Sequence, residues 1–106
     1  MITKPFVIQE KKNVKTEIGD YVPEWIDTGS VNGILDLITG TDVNDAQNAI
    51  TEQSTHVLII QPVPSFKIDD TMRVIENDRW YSITYADDPA GQAHHLELYL
   101  TLGGEL

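Results

Sequence analysis

The sequence predicts an all-β protein, a small closed or partly open β-barrel of five to six antiparallel strands with one short helix in a long loop. Two observations predict this class. Residues 96–102 alternate strictly between leucine and other residue types, which is typical of a strand with one buried face. Turn signals rich in Gly, Pro, Asn and Asp divide the rest of the chain into similarly short segments. Closing such strands into a barrel removes the exposed sheet edges.

The first two predicted elements are extended segments. Phe6–Glu10 is the first strand, and Gly19-Asp20 marks a turn after it. Trp25–Ile38 is the second strand. Gly29 and Gly33 interrupt it, so we expect a bulge or a bend there.

Residues 41–50 are predicted to form one short helix, or a loop with a helical turn. Val43, Ala46 and Ile50 recur at helical spacing, and the polar residues at its start can cap its N-terminus. The apolar stripe is thin, so the segment is expected to order best against a neighbour.

The second half of the chain predicts three or more strands. His56–Gln61 is a β-branched run, which favours a strand buried on both faces. Arg73–Glu76 and Arg79–Tyr85 flank Asn77-Asp78, a pair that tolerates positive φ and so predicts a two-residue hairpin turn. Leu96–Leu102 is the last strand.

Length and composition predict one domain spanning residues 1–106. The chain has no cysteine, which excludes disulfides, thiolate metal sites and thiol nucleophiles. No apolar run is long enough to span a bilayer, and the N-terminal apolar stretch is too short for a signal peptide. We therefore expect a soluble protein that is made in the cytoplasm.

The formal net charge is −10, and it is unevenly distributed. Four lysines lie within residues 1–15, whereas residues 16–66 hold eight acidic residues and no Lys or Arg. A tight binder of DNA needs the opposite sign, because its affinity comes from neutralising phosphates. An acidic surface suits instead a wall past which DNA slides, although acidity also serves solubility.

No motif supports catalysis or metal binding, so we predict a non-enzymatic protein without a cofactor. His94-His95 would point to opposite faces of a strand and could not readily chelate one ion. Asp69-Asp70 and Asp87-Asp88 lie in polar, turn-like stretches where carboxylates stay solvated. The aromatic residues are better explained by core packing and subunit contact than by stacking on nucleic acid, since only Arg73 and Arg79 lie near them.

Four sequence segments occur in a characteristic order. They are EWIDTGSVNGI (24–34), ITGTD (38–42) followed by AQ (46–47), STHVLI (54–59), and DTMRV (70–74) followed by DRWYSI (78–83). Over roughly residues 6–102 this set resembles the head-closure proteins of long-tailed bacteriophages, also called stopper or head–tail adaptor proteins. Gly33 stands where alanine is usual, and apolar Val57–Ile60 replaces an arginine-rich strand.

The resemblance implies a head-closure-like β-barrel that assembles into a homo-oligomeric ring in the virion neck, with six copies favoured over twelve. Such a ring closes the DNA-filled head and provides the docking surface for the tail. The implied partners are a connector adaptor or portal on the head side and a tail terminator or tail tube on the other. Genomic DNA passes through without specific binding, no membrane is involved, and assembly takes place in the host cytoplasm.

In this family the loop between the second and third strands projects into the channel as a plug, which here corresponds to residues 39–54. The segment holds three acidic residues and no base, so that repeated copies would repel the DNA backbone. The predicted channel residues are Thr41, Asp42, Asp45, Gln47, Asn48 and Glu52.

A ring interface joins two different patches of neighbouring copies. We expect the long second strand and the basic N-terminal segment to form it, with the lysines facing the acidic surface of a neighbour. The predicted interface residues are Lys11, Lys12, Lys15, Trp25, Val31 and Ile34.

Two alternative functions fit the sequence less well. The first is another phage structural subunit on a similar barrel, such as a tail terminator or tail-tube protein. The second is a small acidic inhibitor that mimics DNA, whose carboxylates would form two rows spaced like phosphates.

Overall fold

The computed structural model describes residues 3–37, 54–87 and 95–106, and these form six β-strands and no helix. Each strand pairs antiparallel with its neighbours in the order β1-β2-β3-β6-β5-β4, and β4 pairs back onto β1, so the sheet closes on itself. The all-β expectation is confirmed, whereas the helix expected at 41–50 lies outside the described residues. The strands are β1 Lys4–Lys15, β2 Tyr21–Leu37, β3 His56–Ile60, β4 Arg73–Glu76, β5 Arg79–Asp87 and β6 Leu96–Glu105.

The core lies inside the closed sheet and is built by alternation along the strands. Leu98 and Leu100 of β6 and Leu58 and Ile60 of β3 are fully buried, because every second side chain of a strand points inward. Leu102 departs from the predicted leucine face and is 42% exposed. The remaining core residues are Phe6, Ile8, Val31, Ile68, Val74, Tyr81 and Ile83.

Tyr81 is the largest side chain of the core, and it carries a polar hydroxyl group. Its ring is fully buried, and its hydroxyl donates to Oε1 of Glu76 at 3.2 Å, which satisfies the phenol without opening the core. Burial raises the pKa of Tyr81, so the phenol stays neutral. The rings of His56 and Tyr81 pack in a T-shaped arrangement, with their centroids 5.2 Å apart.

The hairpin predicted around Asn77-Asp78 is present. Arg73–Glu76 pairs with Arg79–Ser82, and Asn77 adopts a φ of 55°. Asp78 is not among the residues with positive φ, so one turn residue takes the left-handed conformation rather than both.

The two glycines of β2 have different roles. Ile8 pairs with Gly29 and Gln9 pairs with Asp27, so Thr28 is the extra residue of a bulge, as expected near Gly29. Gly33 lies in regular pairing with both β1 and β3, and no bulge occurs there. Its backbone instead passes close to that of β3.

The first two strands extend well beyond the closed sheet. β1 pairs with β4 only through Val7–Gln9, and β2 pairs with β3 only through Gly33–Leu37. From Glu10 to Ile26 the described ladder contains only these two strands, joined in six residue pairs. We call residues 10–26 the arm. Six pairs span about 20 Å, in keeping with the elongated 53 × 26 × 26 Å dimensions of the protein.

The arm was missed at the sequence level because its residues lack a hydrophobic face. The strands predicted as Phe6–Glu10 and Trp25–Ile38 each run several residues further toward the turn. The turn itself forms at the expected place: Gly19 adopts a φ of 95°, and the amide of Thr16 donates to the carbonyl oxygen of Asp20 at 2.6 Å.

Replacing Gly33 with alanine should destabilise the protein by about 1–3 kcal/mol, because the new methyl group overpacks the β2–β3 contact. An added Cβ would lie 2.5 Å from the carbonyl oxygen of Ile59 and 3.0 Å from Cδ1 of Leu58. Urea denaturation measures the difference, with the exposed neighbour Asn32→Ala as the control. Equal midpoints for Gly33→Ala and the wild type would contradict this close approach.

Candidate functional site

The structure brings together four of the six predicted interface residues. Lys11, Lys12, Lys15 and Trp25 all lie on the arm. The other two lie on the closed sheet, and the predicted channel residues Thr41, Asp42, Asp45, Gln47, Asn48 and Glu52 lie outside the described residues.

Val31 occupies a different environment from the one expected. It is 5% exposed and belongs to the core, so its side chain is taken up within its own subunit. The physical reason is alternation: Val31 pairs with Phe6, and directly paired residues project to the same face, here the inner one. Ile34, on the same strand, is half-buried.

One face of the arm carries basic and aromatic side chains. Cross-strand pairing places Lys11 beside Trp25, Asn13 beside Pro23, and Lys15 beside Tyr21. None of these six residues is acidic, and we call them the basic face. Tyr21 is 67% exposed, and Nζ of Lys11 lies 5.6 Å from the centroid of the Trp25 ring.

The opposite face of the arm carries one lysine and two glutamates. Lys12 forms an ion pair with Glu10 at 2.9 Å and pairs across the ladder with Glu24. Val14 and Val22 follow toward the turn. The three arm lysines therefore differ: Lys12 is neutralised within the arm, whereas Lys11 and Lys15 lie on a face that holds no carboxylate.

An arginine between two tryptophans anchors the base of the arm. The guanidinium of Arg73 lies 4.4 Å from the centroid of Trp25 and 5.5 Å from that of Trp80. Its Nε donates to Oε1 of Gln9 at 2.8 Å, and Nε2 of Gln9 donates to Oδ1 of Asp27 at 2.8 Å. Burial lowers the pKa of Arg73, but an arginine side chain stays charged in proteins. The contacts join β1, β2, β4 and β5.

Sequence reasoning did not find this anchor. Trp25 and Trp80 were assigned to core packing or subunit contact, and both are half-buried. The partner of both rings, Arg73, comes from a third strand, and only the sheet register brings the three together.

The arm also exposes apolar side chains. Ile18 in the turn is 86% exposed, and Val22 and Ile26 are 39% and 37% exposed. A two-stranded hairpin is at best marginally stable by itself in water. This combination is typical of a segment that contacts another surface.

An open cleft with an acidic rim lies on the body, where the segment before β4 meets β5. It measures about 300 Å³ and is lined by Lys67, Ile68, Asp69, Asp70, Tyr85 and Ala86. We call it the acidic cleft. Ile68, Tyr85 and Ala86 provide its apolar surface, and its charged groups are Lys67, Asp69 and Asp70.

Hydrogen bonds from Thr71 favour the charged form of one acid of this cleft, Asp69. The hydroxyl of Thr71, and then its backbone amide at 3.0 Å, donate to Oδ1 of Asp69 and lower the pKa of that carboxyl. On the adjoining strand the ring centroid of Tyr99 lies 6.2 Å from that of Tyr85. The hydroxyl of Tyr99 donates to Oε1 of Glu97 at 3.2 Å. Burial, followed by the charge of Glu97, raises the pKa of Tyr99, so that phenol stays neutral beside the carboxylates.

The described residues contain no candidate metal centre. No group of three or more His, Cys, Asp or Glu side chains in 3–37, 54–87 and 95–106 could hold a metal ion. His95 pairs with Glu97 at 3.2 Å, and His94 lies outside the described part of the chain. That same part contains no helix long and apolar enough to cross a membrane.

Residues 2–102 match the family model of the phage head completion protein. The chain belongs to this family. The resemblance seen in the four ordered segments is thereby confirmed. As a phage head completion protein it is a phage structural protein, a class that is typically non-enzymatic, which agrees with the lack of a catalytic motif. Family membership offers no support for the DNA-mimic inhibitor considered above.

Two solved structures share the fold. One is a chain in the virion of a native gene transfer agent particle, with a TM-score of 0.61 and 16% sequence identity over 92% of this chain and 90% of that chain. The other is the solution structure of protein SF1141 from Shigella flexneri 2a, with a TM-score of 0.64 and 17% identity over 96% and 93%. No curated protein sequence gives a significant match.

Substituting Arg73 with lysine should loosen the base of the arm and destabilise the protein by about 1–2 kcal/mol, because an ammonium cannot stack between two indoles and donate from the position of Nε. Urea denaturation followed by tryptophan fluorescence measures both the loss and the changed environment of Trp25 and Trp80. The matched control is Arg79→Lys, at an exposed position on β5. If the two variants behave alike, the anchor has no energetic role.

Replacing Thr71 with valine should raise the pKa of Asp69 toward its ordinary value of 3.8, because the variant loses the hydroxyl donor and keeps the amide. A depressed carboxyl pKa stabilises the fold above the unfolded pKa, and this contribution is lost as pH falls through the folded pKa. The variant should therefore lose less stability than the wild type on acidification below about pH 4. NMR titration of the Asp69 carboxyl checks the shift, Thr71→Ser is the control, and equal titration of wild type and Thr71→Val would contradict the assignment.

Proposed function

We propose that this phage head completion protein forms a ring in the neck of the virion, closes the DNA-filled head and provides the docking surface for the tail. The observation that carries the proposal is the family match over residues 2–102. The likeness to a chain from a gene transfer agent virion supports a place in a particle of this kind. The proposed neighbours are a connector adaptor or portal above the ring and a tail terminator or tail tube below it.

The charge of the chain suits a channel through which DNA moves. At −10 per copy, six copies carry about −60, and a negative wall repels the phosphates of a passing duplex. Binding would hold the genome in place, whereas repulsion leaves it free to leave when the tail opens. The acids of residues 39–54 are proposed to line this channel as the plug, with Asp42, Asp45 and Glu52 providing the charge.

The arm supports assembly into a ring. A closed barrel has no free sheet edge through which copies could pair, so contacts between copies must come from side chains or from a projecting segment. The arm is such a segment, and it carries three of the seven basic residues of the chain. The proposed interface keeps Lys11, Lys12, Lys15, Trp25 and Ile34 and omits Val31, which is in the core.

The purified protein should protect DNA-filled tailless heads from leakage. Such heads are prepared from infections in which this gene is disabled, and DNA release is followed by nuclease digestion. Added wild-type protein should bind at the vertex and reduce release, because closure needs only this ring. Heads that already carry tails are the control and should take up none. Full leakage after the protein has bound would contradict head closure, and absence of binding would contradict the neck location.

A further inference from the structure

We propose that Gly103 of β6 is a positioning residue for the arm. The lack of a side chain at residue 103 lets the indole of Trp80 lie on the backbone of β6. From there Trp80 holds Arg73 against Trp25 and so fixes the direction in which the arm leaves the closed sheet. The use of this direction in assembly rests on the proposed ring, whereas the direction itself is a property of one copy.

Gly103 is the extra residue of a bulge in β6. Trp80 pairs with Gly104 and Tyr81 pairs with Leu102, so Gly103 has no partner on β5. A Cβ added to Gly103 would overlap Cε3, Cζ3 and Cη2 of Trp80, which belong to the six-membered ring of the indole. The indole therefore lies directly against the backbone of residue 103, and any side chain there would displace it.

The indole of Trp80 forms one side of the Arg73 site. The guanidinium of Arg73 lies 4.4 Å from the ring centroid of Trp25, on the arm, and 5.5 Å from that of Trp80, on the closed sheet. A cation is attracted to an aromatic face while it lies within about 6 Å of the ring centroid. Trp80 is close to this limit, so even a small displacement of its indole breaks the contact and leaves Arg73 free to move away from Trp25.

The junction between the arm and the closed sheet depends on contacts of this kind. The β1–β4 pairing ends at Gln9 with Arg73, and the bulge at Thr28 lies opposite the step from Ile8 to Gln9. A bulge bends its strand, and two-stranded ribbons twist more strongly than larger sheets. Arg73 spans this junction, because it contacts Gln9 on β1 and Trp25 on β2. Its stacking thus links the direction of the arm to β5 and, through the bulge, to β6.

The neighbouring Gly104 has a different role and provides a matched control. It adopts a φ of 152°, a backbone conformation that favours glycine. A Cβ added there would lie 3.7 Å from Nε1 of Trp80, which is an ordinary van der Waals contact. Alanine at residue 104 therefore strains the backbone and leaves the indole in place, whereas alanine at residue 103 displaces the indole.

Distances between two spin labels on the full chain test the inference, and the chain contains no native cysteine to interfere. One label is attached at Ile18→Cys in the turn of the arm. The second is attached at Leu37→Cys or, in a separate sample, at Asp70→Cys, and all three positions are exposed. Each pair should give one narrow distance by pulsed EPR. Gly103→Ala should lose this distance and give a broad distribution, because the arm no longer has a fixed direction.

Two further variants separate positioning from a general loss of stability. Gly104→Ala should lower the urea midpoint but keep the narrow distance. Trp80→Ala should broaden the distribution by itself. Adding Gly103→Ala to Trp80→Ala should change nothing further, because the new Cβ then meets no indole.

Three results would overturn the inference. They are unchanged distances in Gly103→Ala, equal broadening in Gly104→Ala, and a further effect of Gly103→Ala in the Trp80→Ala chain. If Gly103→Ala does not fold, a narrow distance in Trp80→Ala overturns it as well.

The head-binding experiment tests the neck function separately. Failure of the wild-type protein to bind tailless heads would contradict the neck location and leave the positioning of the arm standing. Where the wild type binds, Gly103→Ala should bind less than Gly104→Ala, and equal binding by the two variants would overturn the role of arm direction in assembly.

Discussion

Three residue pairs between β1 and β4 close the sheet, and the rest of the structure depends on them. Ile8 and Val74, at the centre of this seam, are both fully buried, so closure and core formation are the same event. The last pair, Gln9 with Arg73, is also the first contact of the anchor that holds the arm. The fold of the body and the direction of the arm are therefore set at one place.

The seam divides the protein into two parts with different physical requirements. In the closed sheet, every second side chain of a strand is buried, and the packing of these side chains stabilises the fold. Beyond it, the arm has two strands and no third layer, so little holds it except the Arg73 anchor and its own ladder. A segment built in this way keeps apolar side chains exposed, which is typical of a segment that contacts another surface.

The charges follow the same division. On the arm Lys11 and Lys15 lie on one face together with aromatic side chains, whereas the cleft of the body carries Asp69, whose charged form is favoured by hydrogen bonds from Thr71. Copies of a strongly acidic protein repel one another in general, so the local distribution of charge matters more than the total wherever two copies approach.

The sequence by itself determined the class of fold, the hairpin at Asn77-Asp78, the inward Leu98 and Leu100 of β6 and the family, because each depends on local pattern or on the order of segments along the chain. Only the tertiary structure decided which residues of β2 face outward. Val31 and Trp25 lie on one predicted strand. Between them the bulge at Thr28 interrupts the pairing, so Val31 lies in the core and Trp25 lies on the arm, beyond the residues that pair with β3. It likewise decided the partners of Arg73 and the meeting of Ile68 with Tyr85, since sheet closure joins residues far apart in sequence, and no local periodicity records that.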